Sequence, residues 1–181
     1  MSNERQLTAA VIGDARCSDE DSRLAETLGE AVIDSGFRLV TGGLDGIMRA
    51  ASRGARSAHG HRSGDVIGIL PTYSSNDANE FVEVAICTGM NHARNNIVVA
   101  SADVVFAVGG KSGTLSEIAF AWKLGKPVIA VGNALGWARS VAGSSIDDRR
   151  EGHVHGPLSP QQAVRLAQQL LSVVRTRAKK L

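Results

Sequence analysis

Apolar residues along the chain fall into short runs separated by helical patterns and glycine turns. Leu7 to Ile12 has the length and composition of a buried strand and stops at Gly13-Asp14. Ser18-Asp-Glu-Asp21 reads as a capping box opening a helix, with Leu24, Leu28, Ala31 and Val32 on one face and Gly36 at its end. Phe37 to Val40 is a second strand, Thr41 to Gly46 a glycine turn, and Ile47 to about Ala58 a second helix. Arg49, Arg53 and Arg56 recur at helical spacing, a stripe that reads as a solvated face rather than a binding surface. Beyond the polar stretch from His59 to Asp65, Val66 to Leu70 makes a third strand ending at Pro71. Residues 72–79 form a polar loop suited to a lid or rim. Phe81 to Cys87 alternates weakly and reads as a short strand, and Asn91 to Val99 as a helix carrying Arg94.

Val104 to Val108 is a short apolar run of strand length and composition, and the candidate chemistry lies directly after it in the chain. Gly109 to Gly113 is a glycine-rich turn, and Thr114 opens a pattern in which Ile118, Ala121, Trp122 and Gly125 recur at helical spacing. A strand, a glycine loop and a helix start, in that order, form an anion-binding device. The backbone approaches the ligand closely, and free N–H groups and the helix dipole favour phosphate. Gly109, Gly110, Lys111, Ser112, Gly113 and Thr114 are therefore candidate phosphate contacts. Gly110-Lys-Ser112 does not complete a Walker A loop, because Val105 stands where its first glycine is needed. Glu117 has two readings: the far half of a capping box with Thr114 as N-cap, or a site carboxylate.

Pro127 to Val131 is a further strand, and residues 134–156 are mixed and irregular in part. Ser159-Pro160 opens a last helix whose apolar face is Val164, Ala167, Leu170, Leu171 and Val174, with Lys and Arg crowding its C-terminal end. The alternation predicts a single α/β domain over residues 1–181: a Rossmann-like, doubly wound, mostly parallel sheet with helices on both faces. Ligands in such sheets sit outside the carboxyl ends of the strands, where Gly13, Asp14, Gly42, Gly43, Pro71 and the second glycine loop would gather. The first turn, Gly13-Asp-Ala-Arg16, lacks the GxGxxG of a dinucleotide site, so one phosphate-bearing mononucleotide or pterin-like ligand is expected.

Composition narrows the partners. A formal charge of +2 gives no argument for nucleic acid or an anionic membrane, and aromatic residues are few. Cys17 and Cys87 stand far apart without metal-type spacing, which argues against a disulfide scaffold; Cys17 reads as a small buried thiol. The polar start lacks the apolar stretch of a signal peptide, and no run reaches membrane-spanning length, so the expectation is a soluble cytoplasmic protein. His59-Gly-His61 and His153-Val-His155 read as exposed loop histidines, and no metal site is expected. Trp122 reads as core or subunit interface; Asp14 reads as a turn residue or a partner for a ribose hydroxyl.

Gly42-Gly43-x-x-Gly46-Ile-Met48, then Arg94, then Gly109-Gly110-x-x-Gly113-Thr114-x-x-Glu117 resembles a known superfamily over about residues 8 to 133. It contains the LONELY GUY-type phosphoribohydrolases, long mislabelled lysine decarboxylases, and the molybdenum cofactor carrier proteins. The resemblance implies a Rossmann-like fold, a homodimer or homotetramer, and a phosphate at the second glycine loop. In the hydrolases an arginine and the glutamate closing the motif serve catalysis, and Arg94 and Glu117 match them. The implied ligand contacts are Gly13, Asp14, Arg16, Gly42, Gly43, Gly46, Pro71, Met90, Arg94, Asn95 and Gly109 to Thr114. The hydrolases carry Pro-Gly-Gly-x-Gly-Thr-x-x-Glu. Here Val108 replaces the proline, one extra residue (Lys111 or Ser112) separates the glycines, and Asn95 stands where lysine usually follows the arginine. The spelling is closer to the carrier branch. The expected function is therefore binding or carriage of a phosphorylated heterocycle, such as molybdenum cofactor or a nucleotide monophosphate. The alternative is hydrolysis of a nucleoside 5′-monophosphate to base and ribose 5-phosphate.

Overall fold

Seven parallel strands form one sheet in the order β4-β3-β2-β1-β5-β6-β7 in a computed structural model that describes residues 5–178. The strands are β1 (Thr8–Gly13), β2 (Arg38–Thr41), β3 (Val66–Leu70), β4 (Val84–Cys87), β5 (Val104–Val108), β6 (Val128–Val131) and β7 (His155–Leu158). Between them run α1 (Asp19–Asp34), α2 (Ile47–Ser57), α3 (Asn95–Ala100), α4 (Ser112–Lys123) and α5 (Trp137–Val141), and α6 (Pro160–Ala178) follows β7.

The two-residue period of the strands divides the core into two layers. Ala9 and Val11 of β1, with Phe106 and Val108 of β5, face α1, α2 and α6. Ala10 and Ile12, with Val105 and Ala107, face α3, α4 and α5. Every residue of β5 is buried, as a parallel strand covered on both faces requires. The sheet is doubly wound and Rossmann-like. Sequence order reverses between β1 and β5, whose register runs from Ala9 opposite Val104 to Gly13 opposite Val108. The exits of these two strands therefore flank the switch point, where such a sheet leaves a crevice.

Local signals explain most boundaries. The Ser18 hydroxyl accepts from the Asp21 N–H and caps α1. Ser159 and Gln162 cap α6 reciprocally. The arginine stripe on α2 is spent in ion pairs, Arg49 with Glu80, Arg53 with Glu26 and Arg56 with Glu83. The stretch from Asn91 to Val99, read as one helix, divides into a 3-10 turn at Asn91–Arg94 and the short α3. β7 went unread because His155-Gly-Pro-Leu158 carries no apolar run; at a sheet edge its proline is tolerated. His155 consequently lies in a strand, and His61 is half-buried with Nε2 3.0 Å from Glu83, so neither is an exposed loop histidine. The expectations for Val174 and the basic end of α6 concern side chains outside the described residues.

α1 and α2 cross at small residues. A Cβ on Gly54 would lie 1.9 Å from the Glu26 carbonyl oxygen, and one on Gly29 2.0 Å from that of Ala51. Backbone atoms cannot yield as a side-chain end can, so Gly54→Ala is expected to cost about 1–3 kcal/mol, read as a lower urea midpoint. An unchanged midpoint would show that the helices separate freely.

Candidate functional site

The helix after the glycine loop starts at Ser112, two residues before the sequence pattern suggested. The Asp14 carboxylate, at the exit of β1, accepts the Lys111 N–H at 3.1 Å, and the Lys111 carbonyl accepts from Leu115 at 2.9 Å. Lys111 is thereby the N-cap, without a side-chain cap, and its extended backbone aims the chain into the helix. Thr114 and Glu117 therefore lie inside α4, and the capping-box reading of Glu117 is overturned. Thr114, Glu117, Ile118, Ala121 and Trp122 share the buried face of α4 at i, i+3, i+4, i+7 and i+8. Ile118 and Ala121 enter the core, while Glu117, directly before Ile118, meets the crevice.

Arg94 comes to the same place from the 3-10 turn after β4. Its Nη2 donates to the Gly42 carbonyl at 3.3 Å and its Nη1 to Asn95 Oδ1. Gly42 is a close-approach glycine: a Cβ there would lie 2.5 Å from Arg94 Nη2 and 2.7 Å from Met48 Sδ. Nη1 is 3.9 Å from Glu117 Oε1, and each side chain is 8% exposed. Burial pushes the Glu117 carboxyl up to about 7, with Arg94 pulling the other way. Burial likewise lowers Arg94, opposed by Glu117. Two buried ionisable groups with shifted pKa values in a crevice make this a candidate site.

The cavity around this pair has a volume of about 160 Å³. It gathers Gly13, Asp14, Gly42, Arg94, Asn95, Gly113, Thr114 and Glu117 of the residues named from sequence. Gly43, Gly46, Pro71, Met90, Arg16, Gly109, Gly110, Lys111 and Ser112 lie outside its wall. Gly109 and Gly110 instead give their carbonyls to Ala138 and Trp137 at the start of α5. Asn95 is spent within the protein, its Nδ2 donating to Ser116 Oγ at 3.2 Å and Gly113 O at 3.4 Å. The sequence reading missed His92 and Leu44 in the wall; spacing two residues before Arg94 on a one-turn helix was the only clue to His92. Asn79 Nδ2 ties the end of the 72–79 loop to the carbonyls of Gly43 and Leu44.

A larger groove, about 650 Å³, opens at the ends of β6 and β7 beside Ser18, Asn133 and Leu135. It holds none of the expected site residues and no buried ionisable pair, so the smaller cavity is the chemically stronger candidate. Trp122 is core, its indole N–H donating to Asp147 at 2.8 Å beneath the Arg150 guanidinium. The Cys17 thiol is half-buried and pushed up, by burial first and then by neighbouring aspartates, which suits a packing role. No helix among the described residues is long and apolar enough to cross a membrane.

Fold and cavity together define a Rossmann-like α/β protein with a glycine loop and a buried arginine–glutamate pair at the switch point. The chain belongs to the SLOG cluster4 family, whose model matches residues 6–164. An uncharacterised protein of Archaeoglobus fulgidus is 43% identical over 125 residues, 69% of this chain and 80% of its own length. Among solved structures, TM1055 superposes with a TM-score of 0.79 at 32% identity, covering 90% of this chain and 99% of that one. The molybdenum cofactor binding protein of Rippkaea orientalis gives 0.74 at 32% identity, covering 92% and 98%. The molybdenum cofactor carrier protein of Chlamydomonas reinhardtii gives 0.73 at 30% identity, covering 93% and 99%. The relationship to the superfamily read from the glycine motifs is thereby established.

Proposed function

We propose that this protein binds and carries a phosphorylated heterocycle of the molybdenum cofactor or nucleotide type, with the phosphate between Arg94 and the start of α4. The observation that carries this reading is a buried arginine and an uncapped helix start on the wall of one cavity. Arg94 brings a positive charge to the cavity wall, and α4 begins without a side-chain cap, leaving its first N–H groups for a ligand. A cavity of about 160 Å³ accommodates a phosphate group, and the heterocycle lies outward over the rim. The likeness to two molybdenum cofactor proteins over more than nine-tenths of the chain supports this ligand class. Assembly into a homodimer or homotetramer is part of the same reading, supported by Val84 and Ile86 of edge strand β4, 42% and 44% exposed where a parallel strand needs cover.

A second reading, hydrolysis of a nucleoside 5′-monophosphate, is favoured by Glu117. A buried carboxyl near pKa 7 beside the cavity is suited to activating water or stabilising an oxocarbenium-like sugar. Titration calorimetry with inorganic phosphate, a nucleoside 5′-monophosphate panel and molybdenum cofactor tests the first reading, and chromatography of released base tests the second. Saturable binding with the ligand recovered intact is the expected result. Base release lost in Glu117→Gln would replace the carrier with the enzyme, and absence of binding across the panel would sink both.

A further inference from the structure

An arginine and a carboxylate buried side by side ordinarily close to a hydrogen-bonded pair at about 2.7–2.9 Å. Arg94 and Glu117 do not: Nη1 stops 3.9 Å from Oε1. The guanidinium is bonded elsewhere. Nη1 donates to Asn95 Oδ1, and Nη2 to the Gly42 carbonyl. Arginine has only donors, so the Asn95 amide must turn its oxygen toward it, and its nitrogen then faces α4. There Nδ2 meets Ser116 Oγ and the Gly113 carbonyl. Asn95 is buried, and it is braced between α3, which it begins, and the first turns of α4.

We propose that Asn95 is a positioning residue that holds the Arg94 guanidinium off Glu117, leaving the arginine open to a phosphate and the glutamate outside a closed ion pair. The charged and titratable groups lining the cavity are Asp14, His92, Arg94 and Glu117. Of these, Arg94 is the one whose charge favours ionisation of Glu117, against the larger effect of burial. The proposal concerns the protein without ligand and rests on the phosphate reading only for its effect on affinity.

The test is a pH titration of the glutamate carboxyl carbons by NMR in ¹³C-labelled protein, with Glu117→Gln assigning the resonance. In the parent the Glu117 midpoint is expected at about 7. In Asn95→Ala the guanidinium closes on the carboxylate, and the midpoint is expected to fall by about 1–3 pH units. In Asn95→Asp the new carboxylate still holds the arginine and adds a like charge, so the midpoint is expected to rise. Opposite directions from two substitutions at one position are what loss of packing alone would not give. A midpoint that stays in place in Asn95→Ala, or moves the same way in both variants, overturns the proposal. If Asn95→Ala does not fold, the direction in Asn95→Asp decides, and a fall overturns it. Inorganic phosphate titrated separately reads the consequence, with an expected loss of about tenfold in Asn95→Ala at pH 8. Absence of phosphate binding by the parent would refute the proposed function and leave the carboxyl result standing.

Discussion

Replacing Arg94 by alanine is expected to weaken binding of a phosphate-bearing ligand by about 100-fold or more, about 3 kcal/mol, while the protein stays folded near pH 6. The effect is large because the guanidinium is already stripped of water and fixed in place. Gly42 and Asn95 hold two of its nitrogens, and its Nε has no partner. A phosphate arriving there meets a charge that needs no further desolvation or ordering, the condition under which charge-assisted hydrogen bonds are strongest. The fold is spared because Arg94 acts to lower the Glu117 pKa, so its removal leaves that carboxyl protonated to higher pH rather than charged and alone. Arg94→Lys is the informative companion. An ammonium keeps the charge but not the planar fork that reaches Gly42 and Asn95 together, so an intermediate loss is expected. Titration calorimetry with inorganic phosphate and a nucleoside monophosphate, beside circular dichroism melts, measures both. Parent-like affinity in Arg94→Ala would move the anion site away from this cavity.

The layers of this fold were legible because each buried strand spells its own burial. Val104 to Val108 reads as a covered parallel strand before anything is known of its neighbours, and all five residues are buried. β7 was not legible, because its stability comes from pairing with β6 and not from its own side chains. The site shows the same division. Motif order brought Arg94 and Glu117 forward together, and they meet across the switch point. The start of α4 was misplaced because Thr114-x-x-Glu117 has the spelling of a capping box, whereas the decisive contact comes from Asp14, 97 residues away in sequence. No local pattern encodes that. Asn95 was likewise named as a ligand contact from its place beside Arg94. Its amide is instead turned inward by three protein partners, two of them on α4.

Glu117→Gln is expected to make the protein more stable at alkaline pH while flattening the pH dependence of ligand binding. The Glu117 carboxyl rises from its ordinary 4.5 to about 7 in the folded protein, chiefly through burial. Between those values the native state holds a proton that the unfolded chain has released, so stability falls as pH rises through the window. Above pH 7 the full penalty is present, of order 3 kcal/mol for a shift of this size. Glutamine has nearly the same shape and carries no charge at any pH, but it gives up the attraction to Arg94. The variant is therefore expected to exceed the parent by about 1–3 kcal/mol at pH 8 and to match it at pH 4, read from urea denaturation at both values. Binding depends on the same proton. Above pH 7 the ionised carboxylate sets a negative charge beside the bound phosphate, so parent affinity should fall as pH rises through that value, and the glutamine variant should not share the decline. Equal stability at pH 8 would show that Glu117 is already compensated in the folded protein, and its proton would then have no part in gating the site. A stabilised variant that binds at every pH would show that neither the fold nor binding needs the buried carboxyl, and hydrolysis would be left as the activity that does.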